Sequence, residues 1–325
     1  MLRKVLNPTL GLIVLALSIS IWVQRDALSQ FMRSGDPVGE PLTVGTNVWP
    51  GYEPLYLARS LGLYEDRIRL VEYSSATEVI RALRNKLIDV GALTLDEVLL
   101  LRQRGVDVRI VLVTDISDGG DGILARPDLT TLTDLKGRRV GVESTALGAY
   151  VLTRALQTVG LTPADGHHAA YTRGQVDAVV TFEPARSRIL KDGARQLFDS
   201  SQMPGEIVDV IAIRADALPE KATRMQLLVD GWFKALAYIS EDPEDSGKRI
   251  AGRLNLLPEE ALASFDGLMQ PDSEACLAMF DDRHASSIRR TADRLAAAMK
   301  SEKLLEGDVD LASLVIPKFV QALRR

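Results

Sequence analysis

A single cysteine, Cys276, in a chain of 325 residues rules out an intramolecular disulfide, and no CxxC or Cys/His cluster is present to hold a structural zinc. Histidine is nearly as scarce. His167 and His168 are neighbours, so on a helix they point about 100° apart and cannot clamp a metal as an i, i+4 pair does. His284 follows Asp281-Asp282-Arg283 and reads as a solvated helix start. No Walker loop, GxSxG elbow or HExxH motif occurs. Gly120-Asp121-Gly122 fits a dinucleotide pattern only loosely; it precedes a strand instead of joining strand to helix, and reads as a hinge. Lys and Arg form no stripe and the formal net charge is −5, so the electrostatic footprint of a nucleic-acid binder is missing. These absences exclude most catalytic classes, and no cofactor or metal is expected.

What is present is a globular composition, 46% hydrophobic and 26% charged, with length enough for two lobes that each have a core. Arg3 and Lys4 form a basic head before the apolar run Leu10 to Val23, which is short for a bilayer span and right for a signal-peptide core. Ala27-Leu28-Ser29 then offers the small residues that a signal peptidase reads, so residues 1–29 are expected to be a signal peptide. The alternative is an uncleaved anchor, with Trp22 and Arg25 at a membrane face. Both place the folded part in the periplasm or elsewhere outside the cytoplasm. Since no cysteine follows the run, a lipid-anchored lipoprotein is excluded.

From Pro41 to Phe182 short β-branched runs alternate with helical-period segments, the pattern of an α/β fold with parallel layers. Strands are expected at Val44 to Thr46, Ile68 to Tyr73, Asp89 to Leu93, Val108 to Thr114, Val140 to Glu143, Asp177 to Thr181 and Val208 to Ile213. Capping boxes at Ser75/Glu78 and Thr94/Glu97 open two of the helices between them. Placing Val44-Gly45-Thr46 on Val140-Gly141-Val142, and Leu87 to Leu93 on Gln175 to Thr181, lines up one unit twice at offsets of 96 and 88. The second copy is eight residues shorter. Leu161 to His168 carries no β-branched run, so the second lobe is expected to be one strand short. The tail reads as helices over Lys221–Ser240, Glu244–Leu254, Pro258–Leu268, His284–Lys300 and Asp310–Leu323. The expected organisation is a first lobe of 41–122 plus 208–325, with the helical tail, and a second lobe of 123–207. Short crossings near Ser117–Leu124 and Ser201–Asp209 join them.

The segments Val44 to Tyr64 (VGTNVWPGYEPLYLARSLGLY), Thr133 to Leu152 (TDLKGRRVGVESTALGAYVL) and Asp177 to Leu190 (DAVVTFEPARSRIL) resemble periplasmic solute-binding proteins of ABC importers. They are similar in particular to the group that includes nitrate, sulfonate, taurine and thiamine-pyrimidine-precursor binders. The resemblance implies a two-lobed, type II-like periplasmic-binding-protein fold of mixed sheets flanked by helices. It also implies an ABC permease in the inner membrane as partner.

Ligands of open α/β sheets bind beyond the carboxyl ends of the strands, where helix amino termini also point, and that rule nominates four loops. Trp49 and Tyr52 lie on a loop stiffened by Pro50 and Pro54, placed either to stack on a ligand or to pack the loop on the core. Thr94 and Asp96 follow the third strand, where a helix cap explains Thr94 equally well. Ser144 and Thr145 open a helix whose free amides suit a ligand oxygen, or serve as an ordinary cap. Glu183 lies at the end of the strand equivalent to the one ending at Leu93, and either faces the cleft, if the repeat holds, or serves as a structural helix cap.

The expected function is capture of a small solute between two lobes by a monomer that performs no chemistry. A membrane-tethered sensor of the same fold and an exported enzyme are the rivals. Cleft-bordering loops carry Glu53, Asp96, Glu97, Asp115, Asp118, Asp121, Glu183 and Glu206 against Arg186, which suits a neutral or cationic nitrogen compound better than a free anion such as nitrate or a sulfonate.

Overall fold

In the computed structural model, residues 40–142, 146–159 and 176–324 are described, and the described residues from Leu42 onward form one compact unit. The expected leader, residues 1–29, and the stretch Leu161 to His168 lie outside the described residues.

The chain runs through β1 (Leu42–Thr46), α1 (Glu53–Ser60), β2 (Ile68–Glu72), α2 (Ala76–Arg84), β3 (Val90–Thr94), α3 (Leu95–Gln103) and β4 (Val108–Ser117). Helix starts follow the caps legible in the sequence. Ser75 Oγ accepts the Glu78 N–H at 3.3 Å, and the Thr94 N–H donates to Glu97 Oε2 at 3.0 Å. Next come β5 (Asp121–Ala125), β6 (Val140–Gly141), α4 (Ala146–Gln157), β7 (Ala178–Phe182), α5 (Ala185–Lys191) and β8 (Arg195–Asp199). The chain then returns through β9 (Val208–Arg214) to α6 (Leu218–Glu241), α7 (Pro243–Leu254), α8 (Pro258–Ala263), β10 (Leu268–Met269), α9 (Ser273–Met279), α10 (Ile288–Ser301) and α11 (Lys318–Gln321).

Two mixed sheets result. One has the order β10-β4-β9-β3-β1-β2 and the other, among the described residues, β6-β7-β5-β8. In the first, β9 is antiparallel to both β3 and β4, and every residue of β3 and β9 is buried. Apolar side chains on both faces of these strands match a sheet covered by helices on each side.

The internal repeat is exact in register. Val44 pairs in parallel with Val90 in the first sheet, and Val140 pairs in parallel with Ala178 in the second. These four positions differ by the offsets of 96 and 88 read from the sequence.

Other elements depart from expectation. The helix beginning at Pro258 stops at Ala263, because Leu268 and Met269 pair antiparallel with Ser117 and Ile116 at the edge of the first sheet. The tail segment from Asp310 is not a continuous helix: Val315 bridges Ile110 in parallel, the Ile110 N–H donates to the Leu314 carbonyl at 2.8 Å, and helix appears only from Lys318. Strand character at Val140 ends at Gly141. Strand β8 and helix α9 have no counterpart in the expected elements.

The two chain crossings lie side by side. Ser117 Oγ and Ser200 Oγ are 2.8 Å apart, and Ser200 Oγ accepts the Gly119 N–H at 2.7 Å. Gly119 holds φ +110°, a backbone that favours glycine. The first crossing is shorter than expected, since β5 already begins at Asp121.

Candidate functional site

A cavity of about 30 Å³ lies between the sheets. It is framed by Asn47 just after β1, Thr94 at the end of β3, Leu147 in the first turn of α4 and Phe182 at the end of β7. All four follow the carboxyl ends of parallel strands, as open α/β sheets require. Asp121 and Asp209, from the amino ends of the antiparallel strands β5 and β9, complete the same wall with Glu97.

Trp49 and Tyr52 both line this cavity and both are buried. A short 3₁₀ turn over Pro50–Tyr52 carries Tyr52 into α1. The indole N–H of Trp49 is shared between Asp115 Oδ1 and Oδ2, each at 3.3 Å, and the ring meets Phe182 edge to face at 5.6 Å. The hydroxyl of Tyr52 donates to Asp209 Oδ1. Packing and cavity lining, posed as alternatives for Trp49, are therefore met together: one edge of the ring is tied down and another faces the second sheet.

Around these aromatics carboxyl groups converge. Asp96, Glu97, Asp115, Asp121 and Asp209 are each at most 3% exposed. Burial pushes Asp96 up to about 6 and both Asp115 and Asp121 up to about 7, because a charged carboxylate loses its water there. Burial and then the charge of Asp115 raise Asp209 well above the usual carboxylate range, and burial and then Asp209 do the same for the Tyr52 phenol. Among the described residues, Asp121 Oδ2, Asp96 Oδ2 and Asn47 Oδ1 are buried without a hydrogen-bond partner. Arg186 is the cation whose charge reaches Asp121, and its guanidinium already donates to Glu183 at 3.0 Å and to Gln196.

The second sheet is drawn against the first beyond the cavity as well. Gln157 of α4 donates to Glu302 at 2.8 Å, Arg188 of α5 donates to the Leu254 carbonyl at 2.8 Å, and Tyr150 and Arg154 of α4 hold Glu206 of the return crossing at 2.6 to 2.7 Å. Lys191 pairs with Glu260. This is a closed arrangement.

Residues 35–254 match the NMT1-like family, about two thirds of the chain. The chain belongs to the NMT1-like family. Over 229 residues it is 24% identical to the taurine-binding periplasmic protein of Escherichia coli K12, covering 60% of this chain and 71% of the relative. Among solved structures, the alkanesulfonate-binding protein of Xanthomonas axonopodis pv. citri bound to MOPS superposes with a TM-score of 0.71 at 22% identity, covering 86% of this chain and 99% of that one. The periplasmic nitrate-binding protein of Synechocystis PCC 6803 superposes with a TM-score of 0.68 at 12% identity, covering 87% of each chain. The fold is that of the periplasmic binding proteins: two lobes built on mixed sheets flanked by helices, with a helical carboxyl-terminal region.

Within this NMT1-like chain the nominated residues fall into groups. Trp49, Tyr52 and Thr94 line the cavity. Asp96 lies beside it, close enough for its charge to act on Asp121. Ser144 and Thr145 lie outside the described residues. Glu183 is placed differently: its carboxylate accepts from Arg186, from the Ser187 N–H at 3.3 Å and from Ser187 Oγ at 3.0 Å, and so serves the first turn of α5. Phe182, one residue earlier, faces the cavity instead. Of the other carboxylates counted toward the cleft, Glu53 is tied to Arg253 at 2.6 Å, Glu206 to Arg154, and Asp118 is exposed. Asn47, Phe182 and Asp209 were not nominated. The signal for Asp209 is an aspartate inside the apolar run Val208 to Ile213, where an unpaired charge is costly.

Proposed function

We propose that this protein is the extracytoplasmic solute-binding component of an ABC importer, closing its lobes on a small solute and presenting the closed form to an inner-membrane permease. The observation that carries this reading is the cavity at the carboxyl ends of β1, β3 and β7, walled from both sheets by Trp49 and Phe182. Closure requires a ligand to touch both lobes, and this wall offers contacts from each. Trp49, Tyr52, Thr94, Asn47, Asp121 and Asp209 are the proposed contacts, with Asp96 behind them. The periplasmic relatives support export, and the amino-terminal run supports a leader or a tether. In this reading the chain acts as a monomer, uses no cofactor and catalyses no reaction; its chemistry is recognition.

The buried acids favour a neutral or cationic nitrogen compound over the anions named for the relatives. The test is a thermal-shift screen of the mature chain against nitrate, alkanesulfonates, pyrimidines and small amines, since a ligand that binds only the folded state raises its melting temperature. A rise with one class supports the reading, and a flat response to all of them contradicts it. The sensor reading keeps the same cleft and differs in the leader: amino-terminal sequencing of the exported chain finds Gln30 first if it is released.

A further inference from the structure

We propose that the cleft takes a compact organic cation, received by Asp121, Asp209 and Asn47, and that its capture displaces protons from the surrounding carboxyl groups. This inference deepens the solute-binding reading and rests on it.

Asp115 comes from β4, Asp121 from β5, Asp209 from β9, and Asp96 with Glu97 from α3, all buried. Tyr52 faces the same group from the turn after β1, and from α5 the guanidinium of Arg186 is engaged by Glu183 and Gln196 through its two terminal nitrogens, its Nε being a buried donor without a hydrogen-bond partner among the described residues. So many carboxylates cannot all stay ionised in one enclosure with so little opposing charge; buried acids are either paired or neutralised by a proton. Two observations say what should pair with them. Asp121 Oδ2 and Asn47 Oδ1 are acceptors buried without partner among the described residues, and both residues line the cavity. A donor-rich, positively charged group satisfies both once Asp121 is ionised; a sulfonate brings more acceptors and meets Asp121 only where that carboxyl carries a proton.

The size agrees. About 30 Å³ is room for a head of very few heavy atoms, such as an ammonium or amidinium group, beside Trp49 and Phe182. Among the described residues no three His, Cys, Asp or Glu side chains converge as a metal-ligand set, so a bare metal ion does not fit this wall. Burial raises Asp115 and Asp121 to about 7, so near neutral pH the cluster holds protons that an entering cation replaces. Because the cation prefers the ionised cluster, affinity rises with pH until the carboxyl groups are ionised and then levels off.

The test is calorimetric titration of the mature chain with ethylammonium and with acetamidinium, each at several pH values from about 5.5 to about 8 and in two buffers of different ionisation enthalpy. The expected result is a Kd that falls about tenfold per pH unit below about pH 7, with about one proton released per cation bound. Asp121→Asn abolishes most of that release and weakens binding by about tenfold or more at pH near 7.5. Asn47→Ser weakens binding but leaves proton release intact, because Asn47 does not titrate; it reads out the proposal independently if the Asp121 variant folds poorly. The exposed Asp118→Asn changes neither. No binding of either cation at millimolar concentration overturns the proposal, as does binding with a flat pH profile and no proton release. Binding of ethanesulfonate with neither cation bound overturns the proposal but leaves solute capture standing.

Discussion

Trp49 and Phe182 touch across the two lobes, edge to face, with ring centroids 5.6 Å apart and planes at 82°. Edge-to-face contact is a favoured aromatic geometry. In the proposed cycle, opening of the lobes would separate this pair and expose an indole that Asp115 holds in place from behind.

Tryptophan emission therefore reports closure. Once residues 1–29 are removed the remaining tryptophans are Trp49 and Trp232, and Trp232 is fully buried in α6. A solute that closes the lobes changes the emission, and Trp49→Phe abolishes the change. Persistence of the signal in that variant would place the responding group elsewhere.

Stability before solute is added should fall as pH rises. A carboxyl whose folded pKa is raised binds its proton more tightly in the folded state, so its contribution is complete below the unfolded value near 4 and is lost as pH rises through the folded value. For Asp115 and Asp121 the folded value is about 7, which sets the window from about pH 4 to about pH 7. Asp121→Asn removes one such group and should stabilise the chain above pH 7 by about 1–3 kcal/mol, with little effect near pH 4. Chemical denaturation at both pH values checks it; equal effects at the two would contradict the assignment.

Ser200 ties the crossings together. Its hydroxyl meets Ser117 Oγ and accepts the N–H groups of Gly119 and Asp121, and it is fully buried. Ser200→Ala leaves the Gly119 N–H without its partner, while the Asp121 N–H keeps Ser117 Oγ at 3.2 Å, at a place where the two crossings clasp. A loss of about 1–3 kcal/mol is expected, measured by denaturant midpoint. A change under about 0.5 kcal/mol would mean that the clasp is not a structural tie.

Gly51 is required by close approach, not by φ. A Cβ at this position would collide with the carboxyl of Asp115 and with Trp49 Nε1. Gly51→Ala should displace the indole, destabilise the chain by about 1–3 kcal/mol and abolish the emission response. An alanine variant with unchanged response would show that the loop yields without moving Trp49.

The fold was legible where periodicity and repetition agree. Val44-Gly45 and Val140-Gly141 occupy equivalent strands because both copies bury the same unit in the same register. Less legible were Leu268-Met269 and Val315, which join the edge of the first sheet through long-range pairing that local pattern does not encode. At the site, Trp49 and Tyr52 stood out because prolines fix their loop. Phe182 and Glu183 were the harder pair: adjacent positions at a strand end differ in face, and a repeat alignment cannot say which one the following helix takes as its partner. Asp209 lies 157 positions from Tyr52, and only the antiparallel return of β9 brings them into hydrogen-bond contact.

The most direct measurement compares ethylammonium, taurine and ethanesulfonate, which share a two-carbon frame and differ in whether they carry the cation, both charges or the anion. Calorimetric titration of each into the mature chain near pH 7.5 separates recognition of the nitrogen from recognition of the sulfonate. Burial of Asp115, Asp121 and Asp209 around the cavity predicts that ethylammonium binds most tightly, taurine more weakly and ethanesulfonate not at all. Tight binding of ethanesulfonate with no response to ethylammonium would contradict the account.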